Sequence, residues 1–151
     1  MAWYHYLMAV AMGAAISIYI PMVSQSARVM GAAVMGNVPF FVVALATSVV
    51  VALASGQRGE EFGRIWQVPP WLFLAGAMSA VIVVGATFLV PRIGTSALFV
   101  LMVTGQILMG ILINRFGLLG VPSQPLSLGI GIGAALVIAG AAMVTFSAVS
   151  P

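Results

Sequence analysis

Long apolar runs separated by short polar breaks dominate this chain. Five runs stand out, at residues 6–24, 32–55, 71–90, 94–114 and 126–148. Each is close to the roughly 20 residues that an α-helix needs to cross the hydrocarbon of a bilayer. None shows the short, residue-by-residue alternation of a membrane β-strand. In hydrocarbon every backbone N–H and C=O must find an internal partner, so unbroken runs of this length predict helices. The breaks agree with that reading. GQRGEEFGRIWQVPP at 56–70 is the one long polar connection, VPRIG at 90–94 is barely a turn, and FGLLGVPSQP at 116–125 is rich in Gly and Pro. The pattern predicts an all-α integral membrane protein, with residues 1–151 as one five-helix transmembrane domain.

Composition strengthens this picture. The chain is 63% hydrophobic and 5% charged, with a mean hydropathy of +1.23. A soluble domain carries roughly a quarter charged residues, so there is too little polar surface here to face water, and lipid is the solvent. The net charge of +3 does not read as a nucleic-acid surface, because Arg28, Arg58, Arg64, Arg92 and Arg115 are scattered singly. The absence of cysteine removes disulfides, thiolate metal sites and cysteine nucleophiles from consideration. The first run lacks a basic leader and a small-residue cleavage site, so it is expected to be an uncleaved span.

Charge also bears on orientation. An odd number of spans puts the two ends of the chain on opposite sides. Arg58, Arg64 and Arg115 fall on the N-terminal side, and Arg28 and Arg92 on the other. Cytoplasmic loops usually carry the excess of Lys and Arg, and three against two is a weak instruction. A chain this balanced can insert both ways, and two opposite copies would form the inverted-topology pair found as internal repeats in transporters. The alternative is that Arg58 and Arg64 hold the N-terminus inside.

No Asp, Glu, Lys or Arg lies inside any span, so the intramembrane carboxylate of a typical proton relay is missing. His5 sits at the edge of the first span. Neutral groups remain at depth. Gln106 lies near the middle of the 22 uncharged residues between Arg92 and Arg115. By helical spacing it shares a face with Thr95, Phe99, Met102 and Gly110. Tyr19 and Asn37 add polar groups to the first and second spans. Gln106 is either an interhelical hydrogen-bonding group or a cavity-lining amide. Asn114 reads as a helix-end cap or an interface group. Pro21 either ends the first helix or kinks it beside a cavity. Trp3, Tyr4, Tyr6, Trp66 and Trp71 fall near span ends, as interfacial anchors do.

Small residues four apart let membrane helices approach closely. Such steps occur at Ala9, Gly13 and Ser17, at Gly76 and Ala80, and at Gly129 and Gly133, so Gly13, Gly76, Gly129 and Gly133 are the expected helix-packing positions. EEFGRIW at 60–66 reads as a short amphipathic turn at the membrane surface. It offers no nucleophile or metal ligand beside Glu60 and Glu61, so no catalytic site, metal site or cofactor is expected. The glycines at 129–133 follow no strand, which sets a dinucleotide site aside.

Residues 90–117 carry a resemblance. Pro91, Gly94, Gly105, Gln106, Asn114, Phe116 and Gly117, with Pro70, Trp71 and Gly76 before them and Gly129 and Gly140 after, resemble the YdcZ-type family of small inner-membrane exporters in the drug/metabolite transporter superfamily. The likeness covers roughly residues 70–142. The first two spans depart from it: Tyr19 and Val23 stand where the family commonly has Gln and Asn, and Phe40 and Phe41 where it has a Ser-Phe pair. The resemblance implies a bacterial inner-membrane protein that is one half of an inverted-repeat ten-helix transporter. An antiparallel copy or a sister five-helix chain would complete it, with the binding cavity near the bilayer centre.

The functional expectation is therefore an exporter subunit for a small metabolite or drug, working by alternating access in an antiparallel dimer. Gln106, Thr95, Phe99, Met102, Tyr19 and Asn37 are its expected substrate-lining residues. The expected partners are lipid, a second five-helix chain and a small molecule, and not nucleic acid. A non-transporting membrane scaffold or accessory subunit is the alternative, and an enzyme is disfavoured.

Overall fold

A computed structural model describes residues 3–149. Five of its helices are long and apolar enough to cross a membrane, and no strand occurs among the described residues. In order the α-helices are α1 (Tyr4–Met30), α2 (Ala33–Ala54), the short surface helix α3 (Gly59–Gly63), α4 (Leu74–Ile93), α5 (Thr95–Phe116) and α6 (Leu128–Val149), all but α3 of membrane-spanning length. Two 3₁₀ turns, Arg64–Gln67 and Pro70–Phe73, lead from α3 into α4. The chain divides into two compact units, Met1–Phe88 and Leu89–Pro151.

The first unit is built on the α1–α2 hairpin. α1 does not stop at Pro21: it runs on for nine more residues to Met30. Proline lacks the N–H that would bond the carbonyl of Ser17, and its ring crowds that turn. A helix in lipid tolerates this where its neighbours support it, and here Ile20, Val23, Ser24 and Ala27 form a buried stripe at helical spacing. Gly31 ends the helix with a φ of +78°, the left-handed conformation that glycine adopts without a steric penalty. Ala32 then leads straight into α2. Ala27 and Gly36 are nine positions apart in the chain, and there the two backbones touch: a Cβ on Gly36 would lie 2.6 Å from both N and Cα of Ala27. Above that contact α2 holds its own internal proline, Pro39.

α4 carries the buried residues Val83, Ala86 and Thr87. One polar tie crosses to it from α2, where the Asn37 amide donates to the Ala80 carbonyl at 2.9 Å. Asn37 and Thr87 are 5% and 3% exposed. The Asn37 Oδ1 and Thr87 Oγ1 atoms are buried without a hydrogen-bond partner. Such orphans are uncommon, since a buried polar atom usually finds a partner. α3 is held at its start by Glu61, whose carboxylate accepts the Arg58 backbone N–H at 2.8 Å. Phe62 beside it is half-buried, whereas Ile65 and Trp66 are exposed.

The second unit pairs α5 with α6. The loop between them folds back on the end of α5, where the Gln124 N–H donates to the Asn114 carbonyl at 2.8 Å. Ala97 and Leu98 are buried on α5, and Ala141 on α6. Thr104 returns its hydroxyl to the Val100 carbonyl at 2.8 Å, so that hydroxyl is satisfied within its own helix.

Most large apolar side chains are exposed, including Val42, Val43 and Leu45 on α2 and Leu136 and Met143 on α6. In water this would be untenable. In lipid, apolar side chains on the outside cost nothing, and helices associate through close packing and hydrogen bonds. Trp3, Trp66 and Trp71 are also exposed, each close to the end of a span.

Candidate functional site

Two hollows flank α2. The first, about 600 Å³, lies between α1 and α2 and is walled by Tyr19, Met22 and Ser26 on one side and Pro39, Phe40 and Thr47 on the other. The second, about 520 Å³, lies between α2 and α4 and is lined by Asn37, Phe41, Leu45, Ala80 and Val84 among others. Both volumes fall in the range of small-molecule sites, about 300–1,000 Å³. No charged side chain lines either hollow.

Local sequence explains the first hollow. Ala27 and Gly36 pin the helices together at the closed end of the hairpin. Pro21 and Pro39 lie within α1 and α2 just beyond that pin, and each proline loosens its wall by one backbone hydrogen bond. The walls meet again through aromatic rings. Tyr19 and Phe40 stack with centroids 5.2 Å apart and planes 15° apart. Phe41 then meets Phe40 edge-on at 5.0 Å and 84°. Being successive on α2, Phe40 and Phe41 line different hollows, so the ring cluster bridges the two.

The expected lining residues divide between the units. Tyr19 and Asn37 belong to the first unit and line the first and second hollow respectively. The α5 residues belong to the second unit. There Thr95 and Gln106 are exposed, and Phe99 and Met102 are half-buried. The opposite stripe of α5, Val100, Thr104, Ile107 and Ile111, is half-buried throughout. Gln106 itself is exposed at mid-helix, between half-buried Met102 and Gly110 on the same face. The expected packing glycines also face outward within the chain: a Cβ on Gly13, Gly76 or Gly133 would meet nothing within 4 Å, and one on Gly129 only the Ser127 Oγ at 3.9 Å.

Sequence reasoning did not single out Met22, Ser26, Thr47 or the Ala27–Gly36 contact. A signal for them was present: Gly36, Phe40, Val43, Ala44 and Thr47 recur at helical spacing on one side of α2, and Pro39 lies among them. No group of three or more His, Cys, Asp or Glu side chains suited to a metal ion occurs among the described residues.

Five lipid-facing helices with uncharged hollows between them define a polytopic α-helical membrane protein. A family model described as "Putative inner membrane exporter, YdcZ" matches residues 4–143. The chain belongs to this family, within the drug/metabolite transporter superfamily. It is accordingly a multi-pass protein of the inner membrane, from a family of transporters rather than enzymes. The match takes in the first two spans, where the likeness read from individual residues was weaker. No curated protein and no solved structure matches the chain.

Proposed function

We propose that this chain is one half of an exporter and that the α1–α2 hollow receives the solute. The observation that carries this reading is the hollow itself: it is large and uncharged, lies between two helices that each hold an internal proline, and is bordered by the Tyr19–Phe40 stack. A pin at Ala27–Gly36 with loosened helices beyond it is suited to opening and closing. Asn37, on the far side of α2, marks the second wall that would move.

The exposed amide of Gln106 supports pairing. A primary amide turned toward hydrocarbon leaves its hydrogen-bonding groups unmet, which is costly. A second five-helix chain, inserted in the opposite sense, would cover it. The face of Thr95, Phe99, Met102 and Gln106 would then line the passage between the chains, and the outward glycines of α1, α4 and α6 would serve contacts with the partner. Alternating access would follow from rocking one bundle against the other. A sister chain would serve as well as an identical copy.

Sealed liposomes test the reading. Vesicles loaded with a mixture of small metabolites and drugs are assayed by mass spectrometry for solutes that leak only when the purified chain is present. The expected result is selective release that stops in Val43→Trp, which fills the hollow. Release of nothing beyond protein-free vesicles would instead favour an accessory or scaffold subunit.

A further inference from the structure

We infer that the solute carried by the α1–α2 hollow is uncharged and bears an aromatic ring, a statement that rests on reading that hollow as the solute site. Three observations lead there. First, Tyr19 and Phe40 are held nearly parallel, 15° apart with centroids at 5.2 Å, while the edge contact from Phe41 fixes the orientation of Phe40. Both stacked rings line the hollow and remain only half-buried, so part of each ring surface is left for another ring. Aromatic pairs prefer this offset or edge-on geometry and gain from it beyond the area they bury. Because the rings already stack on one another, little further ordering is needed on binding.

Second, the lining contains no acid and no base. The two acidic residues, Glu60 and Glu61, belong to α3. An ionised solute at this depth would find no countercharge, and an isolated charge in a low-dielectric site is strongly disfavoured. Ring faces do attract cations, but without a nearby carboxylate that attraction works alone against desolvation.

Third, the hydroxyl-bearing residues Tyr19, Ser26 and Thr47 border an otherwise apolar hollow. A lipid acyl chain would use neither these groups nor the ordered rings. A bicyclic ring bearing one hydroxyl or amine would use both.

A matched set of probes tests this. Binding of 2-naphthol, of its saturated counterpart decahydro-2-naphthol, and of the cation trimethyl(2-naphthylmethyl)ammonium is titrated by saturation-transfer NMR on the detergent-solubilised chain, with empty micelles as the blank. The expected result is that 2-naphthol binds about three- to tenfold more tightly than the saturated alcohol, and more tightly than the cation. Phe40→Leu, which keeps the apolar bulk, and Tyr19→Leu should each shrink the aromatic preference toward unity. Two outcomes overturn the inference but leave the site in place: equal binding of the two alcohols with both lost in Val43→Trp, or tighter binding of the cation with the same loss. Binding that is unchanged in Phe40→Leu, Tyr19→Leu and Val43→Trp alike overturns the site reading along with it.

Discussion

Gly36 lies so close to Ala27 that a Cβ added to it would stand 2.6 Å from the Ala27 Cα and 2.7 Å from its Cβ. Backbone cannot yield as a side chain can. Gly36→Ala should therefore push α1 and α2 apart and destabilise the hairpin by about 1–3 kcal/mol, the usual cost of overpacking. Thermal unfolding in detergent measures it. Ala27→Gly should rescue little, because the backbone N and Cα of Ala27 would still be in the way.

Asn37 gives a prediction of opposite sign. Its amide nitrogen is bonded to Ala80, but its oxygen is a buried orphan. An interhelical bond in a membrane protein is worth about 0.6 kcal/mol on average, whereas an unmet buried polar atom costs about 1–3 kcal/mol. The second effect wins, so Asn37→Leu should leave stability unchanged or raise it by about 1 kcal/mol. Asn37→Asp should lower it, since an acceptor would then face the Ala80 carbonyl. Parallel melting curves of the three proteins decide the point.

Pro21 and Pro39 should separate stability from activity. Replacing either by Ala restores an N–H to the helix, and a proline in a helix interior costs about 3 kcal/mol in water. Each variant should be at least as stable as the parent yet slower at releasing solute from liposomes. Equal release rates would show that the two prolines play no part in opening.

Because the chain has no cysteine, Gln106→Cys introduces a single reactive group. If α5 faces a partner, a short bismaleimide should cross-link two chains in native membranes, while Val50→Cys, exposed on α2, serves as the control. The expected result is a dimer band for position 106 and a much weaker one for position 50.

Orientation can be read in the same background. Arg64→Cys lies in the exposed turn after α3. In a population inserted both ways, a membrane-impermeant maleimide applied to sealed cells should label roughly half of it, the rest reacting only after permeabilisation. Full protection or full labelling would indicate one fixed orientation and require an oppositely inserted sister chain.

Much of the fold was legible because the spans are long and the breaks are marked by Gly, Pro and charge. Gly94 separates α4 from α5, as the VPRIG break suggested. The end of α1 was harder to read. Ser24, Gln25, Ser26 and Arg28 look like the close of a span, yet α1 continues because Ser24 and Ala27 are buried with the stripe that α1 presents. Proline at position 21 pointed the same misleading way. The site was less legible than the fold. Tyr19 and Asn37 stood out as polar residues at depth, but the stacking of Phe40 on Tyr19 depends on how α1 and α2 cross. That crossing is set by Gly36, one small residue among many. The tight contact lies there rather than at the repeated small steps, because spacing alone does not say which face of a helix meets another.

Two residues, Gly31 and Ala32, are all that join α1 to α2. A connection so short offers a protease no extended segment to cleave and an antibody no loop to grip. Epitope insertions belong instead in the polar stretch around α3.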